Sequence, residues 1–161
     1  MWRFSVLAWL IAGVVGSLVF WLFQVATTGY TIPQFMGEQI VTEGGYPMGL
    51  APLVGWGVHL GVSLSYSLLF AVIMAALPLR SSGGALGRVL ALAVLLGWIT
   101  TLLTTPAIAV TIGVLSGKGF PSELPGLNTE IGLPLCNHLL FFGVVWVFTN
   151  LIPVLRGTSA R

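Results

Sequence analysis

Four stretches of this chain, at about residues 4–28, 50–77, 89–115 and 133–155, run without a single Asp, Glu, Lys or Arg. Crossing a bilayer core takes roughly 20 helical residues, and each stretch is long enough. In hydrocarbon no water satisfies the backbone, so a spanning segment must be a helix or part of a closed barrel. Apolar runs of this length, without alternation, read as helices. The expected fold is all-α: a four-helix transmembrane bundle forming one integral membrane domain over residues 1–161, with two long outer loops at 29–49 and 116–132. Composition agrees. The chain is 57% hydrophobic and 6% charged, whereas a soluble domain carries about 25% charged residues. The expected surroundings are the lipid bilayer.

The start of the chain, Arg3 followed by an apolar run, resembles a secretory leader. The run is too long for a leader core and lacks an A-x-A cleavage site, so it reads as a retained span. Charge then orients the spans. Arg3, Arg80, Arg88, Arg156 and Arg161 fall on one side; Glu38, Glu43, Glu123, Glu130 and Lys118 fall on the other. Basic residues mark the cytoplasmic face. The reading is a multi-pass protein of the cell inner membrane with its N-terminus and C-terminus cytoplasmic. The net charge of +2 thus reflects topology, and no nucleic-acid partner is expected. Tyr30, Tyr46 and Trp56 near the outer boundary, and Trp2 near the inner one, suit interfacial anchors.

Lipid gives helices no hydrophobic reason to associate, so small residues at spacing four are expected to carry close packing. The first span offers Ala8, Ala12 and Gly16; the second Gly57, Gly61 and Ser65; the third Ala93, Gly97, Thr101 and Thr105; the fourth only Gly143. Thr100, Thr101, Thr104 and Thr105 can bond back to their own helix carbonyls. Gln24, Thr27 and Thr28 make the end of the first span polar. Pro106 should kink the third. Cys136, the single cysteine, reads as a small buried hydrophobe.

GLAPLVGWGVHL at 49–60 and GLPLCNHLL at 132–140 share Gly-Leu, Pro-Leu and His-Leu in order. Span, outer loop, span, then the same again suggests a tandem two-helix repeat related by an axis along the membrane normal. It would place His59 and His138 at similar depth on parallel helices. On the second span His59 shares a face with Trp56, Ser63 and Tyr66; Asn137 adjoins His138, and Thr104 lies on the third span. Ser63, Tyr66, Asn137 and Thr104 are therefore the candidate polar interior.

Three readings of the histidines stand. In one, each bonds to a neighbouring hydroxyl, amide or carbonyl and locks the bundle. In another, His59 and His138 are the axial ligands of a b-type haem, with only Lys118 to meet its propionates. In the third, they line a quinone, proton or small-solute site. No catalytic residues are assigned. The chain has no Asp, no HExxH, no CxxC and no phosphate-binding GxxxxGK[ST].

The segment from IPQFMG through GWGVHLGVSLSYSLLFAV, with Pro33, Met36, Gly37, Gly55, Trp56, His59, Gly61 and Tyr66, is similar to a pattern in small bacterial four-span membrane proteins of uncharacterised function. The resemblance implies a bacterial integral membrane protein and supplies no activity. The leading functional expectation is a non-enzymatic accessory or structural subunit of a larger membrane complex. A haem- or quinone-binding electron-transfer subunit and a small-solute transporter are the alternatives.

Overall fold

The computed structural model describes residues 6–76 and 85–151. Every regular element among them is helical: α1 (Val6–Thr27), α2 (Ile32–Gly44), α3 (Ala51–Ala76), α4 (Ala85–Leu115) and α5 (Leu133–Trp146). A 3-10 turn at Met48–Leu50 leads into α3, and a π-helical turn at Val147–Leu151 continues α5. Three helices are long and apolar enough to cross a membrane: Val6–Thr27, Met48–Ala76 and Gly87–Leu115. The apolar helix Leu133–Thr149 is shorter. Residues 152–155 of the expected fourth span, the linker arginine Arg80, the terminal arginines Arg3, Arg156 and Arg161, and Trp2 lie outside the described residues.

The expected outer loop at 29–49 is not a loop. It folds as α2, and the sequence explains why. Thr31 caps the helix, its hydroxyl accepting from the Gln34 N–H at 3.4 Å, with Pro33 in the first turn. The Gln24 side chain takes up another orphan N–H, that of Ile32, at 2.9 Å. At the other end Gly45 turns left-handed (φ +66°), and the N–H groups of Gly45 and Tyr46 return to Thr42 and Val41. This is the Schellman arrangement, which glycine favours because it has no Cβ to clash. Pro33, Met36, Gly37, Ile40 and Val41 are buried, an i, i+3, i+4, i+7, i+8 stripe. A search for membrane spans passes over so short a helix.

The helices form an open arc. α1 packs between α3 and α5, and α4 packs on the far side of α5. α3 and α4, the two ends of the arc, scarcely touch, and α2 lies across both. Below the gap the core is closed by aromatic rings: Trp9 against Phe70 (5.7 Å between centroids), Phe70 against Phe142 (6.2 Å), and Tyr66 stacked on Phe142 (6.0 Å). Met36, Ile40 and Ile112 form a second small core where α2 meets α4. The halves of the expected repeat therefore differ: the first carries α2, whereas residues 116–132 have no helix beyond the end of α4.

The expected packing stripes hold on two helices and fail on one. Ala12 and Gly16 of α1, and Ala93, Gly97 and Thr101 of α4, are buried, with Gly97 against Leu139 of α5. Gly57, Gly61 and Ser65 of α3 instead face outward, with open space over both glycines. The inward stripe of α3 is Gly55, His59, Ser63 and Ser67. His59 and Ser67 find partners on α1, so this face turns in despite its larger side chains. Ala8 is exposed, and so is Cys136, contrary to expectation.

α2 and α3 cross with their backbones in near contact. A Cβ at Gly37 would run into the Ala51 carbonyl, and one at Gly55 into the Pro33 carbonyl. Gly37→Ala and Gly55→Ala should each lower stability by about 2 kcal/mol or more, because the obstructing atoms are backbone. Gly57→Ala and Gly61→Ala should be neutral or stabilising by up to about 1 kcal/mol, as alanine is the better helix former. Denaturation titrations of the four variants in mixed micelles would check the ranking.

Candidate functional site

The gap between α3 and α4 is a cavity of about 690 Å³. Volumes of about 300–1,000 Å³ are those of small-molecule sites. Its walls are mostly apolar: Phe20 and Phe141 at the back, Val58 and Val62 from α3, Ile108 from α4, and Ile32 and Met36 from α2. Val62, Thr105 and Ala107 line it yet are exposed, so it opens sideways between α3 and α4. Tyr30, Asn128 and Glu130 stand at the end near the loops. Glu130 is the one charged side chain in its lining.

The four residues expected in the polar interior, Ser63, Tyr66, Thr104 and Asn137, line this cavity together with the two candidate ligands His59 and His138. His59, Ser63, Asn137 and His138 are buried, and Tyr66 and Thr104 half-buried. His59 Nε2 lies 3.2 Å from the Ser17 carbonyl of α1; a carbonyl only accepts, so Nε2 donates. Two turns on, the buried Ser67 hydroxyl donates to the Trp9 carbonyl at 2.6 Å. His59 and Ser67 thus tie α3 to α1 in the way expected of structural polar residues. On α5, His138 Nδ1 donates to the Pro134 carbonyl at 2.8 Å, and its Nε2 lies 3.5 Å from Thr104 Oγ1. The threonines bond back as anticipated: Thr100 to Leu96, Thr101 to Gly97 and Thr104 to Thr100, at 2.7–2.8 Å.

α4 runs through Pro106 as a helix. Proline lacks an N–H, so the Leu102 carbonyl four residues earlier loses its helical partner. The Asn128 N–H supplies the replacement at 2.9 Å. That bond draws the 116–132 segment back across α4 and places Asn128 and Glu130 at the cavity. On the α2 side, the Tyr30 hydroxyl donates to Glu38 at 2.7 Å. Losing that bond beside a carboxylate would be unfavourable, which holds the Tyr30 phenol above its ordinary pKa. Lys118, just past the end of α4, pairs with Glu43 in the last turn of α2 at 3.1 Å. Both side chains are solvent-accessible, so the pair marks proximity more than stability.

The residues do not fit a haem held from both faces. Phe20 packs on both imidazoles, with centroids 5.3 Å from His59 and 5.8 Å from His138. A macrocycle spanning the two would have to displace it. His59 also directs Nε2 at a backbone carbonyl. Lys118, the cation expected to meet propionates, is engaged by Glu43. No cluster of three or more His, Cys, Asp or Glu side chains suited to a metal occurs among the described residues.

Comparison with family models, with curated proteins and with solved structures finds no match for this chain. The reading of the cavity therefore rests on its own chemistry. The sequence pattern brought together His59, Ser63, Tyr66, Thr104, Asn137 and His138 but missed Phe20, Gln24 and Met36, and at the rim Tyr30, Asn128 and Glu130. Phe20 and Gln24 lie at helical spacing on the buried face of α1, a signal that was present but shared with ordinary core residues.

Asn137 is 6% exposed, and its Oδ1 is buried without a hydrogen-bond partner. An unsatisfied buried polar group costs about 1–3 kcal/mol. Asn137→Leu, of similar shape, should therefore raise stability by about 1 kcal/mol in the same denaturation assay. A residue held there only to stabilise the bundle would give the opposite sign.

Proposed function

We propose that this chain is an inner-membrane protein that binds a small, uncharged, mainly apolar molecule in the cavity between α3 and α4. The observation that carries the reading is a cavity of about 690 Å³ whose side opening lies between two helices long and apolar enough to sit in lipid. A molecule dissolved in the bilayer could enter without crossing water. The lining offers hydrogen-bonding groups but only one charge, at the rim. A quinone-like or lipid-like ligand suits such walls better than an ion. Transport has less support, because Phe70, Met74, Phe142 and Val145 close the core beyond the cavity.

For topology we infer four spans, with α5 as the fourth, and both termini cytoplasmic. Residues 133–149 reach the lower limit of about 17 residues for a tilt-free crossing, and the arginine-bearing ends would lie inside. Reporter tags fused in turn to the N- and C-terminus should both report from the cytoplasm; either one outside would overturn the four-span topology.

A subunit role in a larger complex is a second reading, favoured by a separate observation. Phe120 (69% exposed), Leu124, Leu127 and Ile131 (80%) project from the 116–132 segment, an apolar set that a partner could cover.

Native mass spectrometry of the protein released from lipid nanodiscs tests the binding reading. The expected result is a small apolar adduct that Thr105→Trp, which puts bulk into the cavity opening, greatly reduces. An adduct-free protein, or an adduct indifferent to Thr105→Trp, would overturn it.

A further inference from the structure

We infer that the cavity selects a ligand with a hydroxyl donor, a phenol or alcohol head on an apolar body. The inference rests on the cavity reading above and adds the chemistry of recognition. Three groups on its wall carry it. His138 donates Nδ1–H to the Pro134 carbonyl, which leaves Nε2 as an acceptor in the uncharged ring. Its neighbour Thr104, 3.5 Å away, directs its hydroxyl hydrogen to the Thr100 carbonyl at 2.8 Å. That lone pair therefore has no committed donor. His59 donates Nε2–H to Ser17, leaving Nδ1 as an acceptor with no partner among the described residues. Asn137 Oδ1 is buried and unpartnered. All three side chains line the same cavity, from α3 and α5. Asn137 Oδ1 itself is covered, so a ligand reaches it only as the amide turns, whereas the two imidazoles carry the site.

The uncharged ring is the species to consider. Neither imidazole pairs with a carboxylate among the described residues, and an isolated imidazolium in an apolar wall is expensive. An anionic head would meet unpaired acceptors and no cation. A fixed cation would leave its charge at the back of the cavity, with Glu130 only at the rim. A neutral O–H satisfies the acceptors and brings no charge. Ser63 and Tyr66 can give or take a hydrogen bond, so they accommodate the head without choosing it. The same orphaned acceptors penalise a ligand that cannot donate, since buried polar groups left unpaired are the strongest basis for rejection.

The test uses probes differing only in the head. The full chain in nanodiscs is offered equimolar 4-octylphenol and 4-octylanisole, in which a methyl group replaces the donor hydrogen. Bound ratios are read by native mass spectrometry, with Thr105→Trp as the blocked-cavity background. The phenol is expected to exceed the anisole by about tenfold, the worth of one good buried hydrogen bond. Asn137→Leu and His138→Phe should each bring the ratio toward unity while octylanisole still binds. Asn137→Leu removes an unsatisfied group, so its folding guards against a trivial loss. Equal binding of phenol and anisole in the unaltered chain would overturn donor selection and leave the cavity reading standing. Neither probe binding above background would overturn both. An octyltrimethylammonium probe binding as well as the phenol, or a phenol preference surviving the Asn137→Leu/His138→Phe double variant, would also overturn it.

Discussion

The architecture depends on how closely α1 can be approached. The middle of its inward face is Ala12, Gly13, Gly16 and Ser17, a strip of small residues between the larger Trp9 and Phe20. α3 settles over Gly13 through Ser67 and Leu64, and α5 over Gly16 through Phe141. With two helices seated on one narrow strip, close van der Waals contact and interhelical hydrogen bonds hold them together, as small residues do between helices apolar enough to span a membrane. The His59–Ser17 and Ser67–Trp9 bonds then fix the rotation of α3. Because α5 is drawn onto α1, α4 can follow only on the outer side of α5. A separation between α3 and α4 results, and the cavity is that separation.

Backbone satisfaction decides what covers the gap. Pro106 frees the Leu102 carbonyl inside a helix, and in an apolar setting that group needs a donor. The Asn128 N–H is the donor, so a proline in one element positions a residue 22 places further along, from Pro106 to Asn128. On the other flank, Gly37 and Gly55 let α2 lie directly on α3, while Met36 and Ile40 carry it over to Ile112 of α4. The cavity thus has a helical roof on one side and a hydrogen-bonded strap on the other.

Most polar groups in this interior have partners. The hydroxyls of Ser67, Thr100, Thr101 and Thr104 donate to backbone carbonyls, and each histidine spends its proton the same way. Among the side chains that line the cavity, what is left over is a set of acceptors: His59 Nδ1, His138 Nε2 and Asn137 Oδ1. A bundle built only for stability would place apolar side chains there, since unsatisfied polar groups weaken it. Retained acceptors in a mostly apolar pocket, with Glu130 as its one charged lining residue, are what the proposed donor ligand would satisfy.

The sequence by itself determined that the chain is helical and apolar, because long uncharged runs admit no other backbone in lipid. It also determined which groups share a face: His59, Ser63 and Tyr66 by helical spacing, with Asn137 and His138 adjacent. It even contained α2, in the Thr31–Pro33 start, the Gly45 stop and the stripe between them, although short helices are invisible to a reading by span length. Only the tertiary structure decided that α3 turns Gly55, His59, Ser63 and Ser67 inward rather than its Gly57, Gly61 and Ser65 stripe. Small residues permit close packing on either face, and the choice fell to the face whose polar atoms could reach α1. Only the tertiary structure, too, put Phe20 against both histidines and separated α3 from α4. Spacing along one helix sets a side chain's direction, but what it meets depends on which neighbours its own backbone allows to come near.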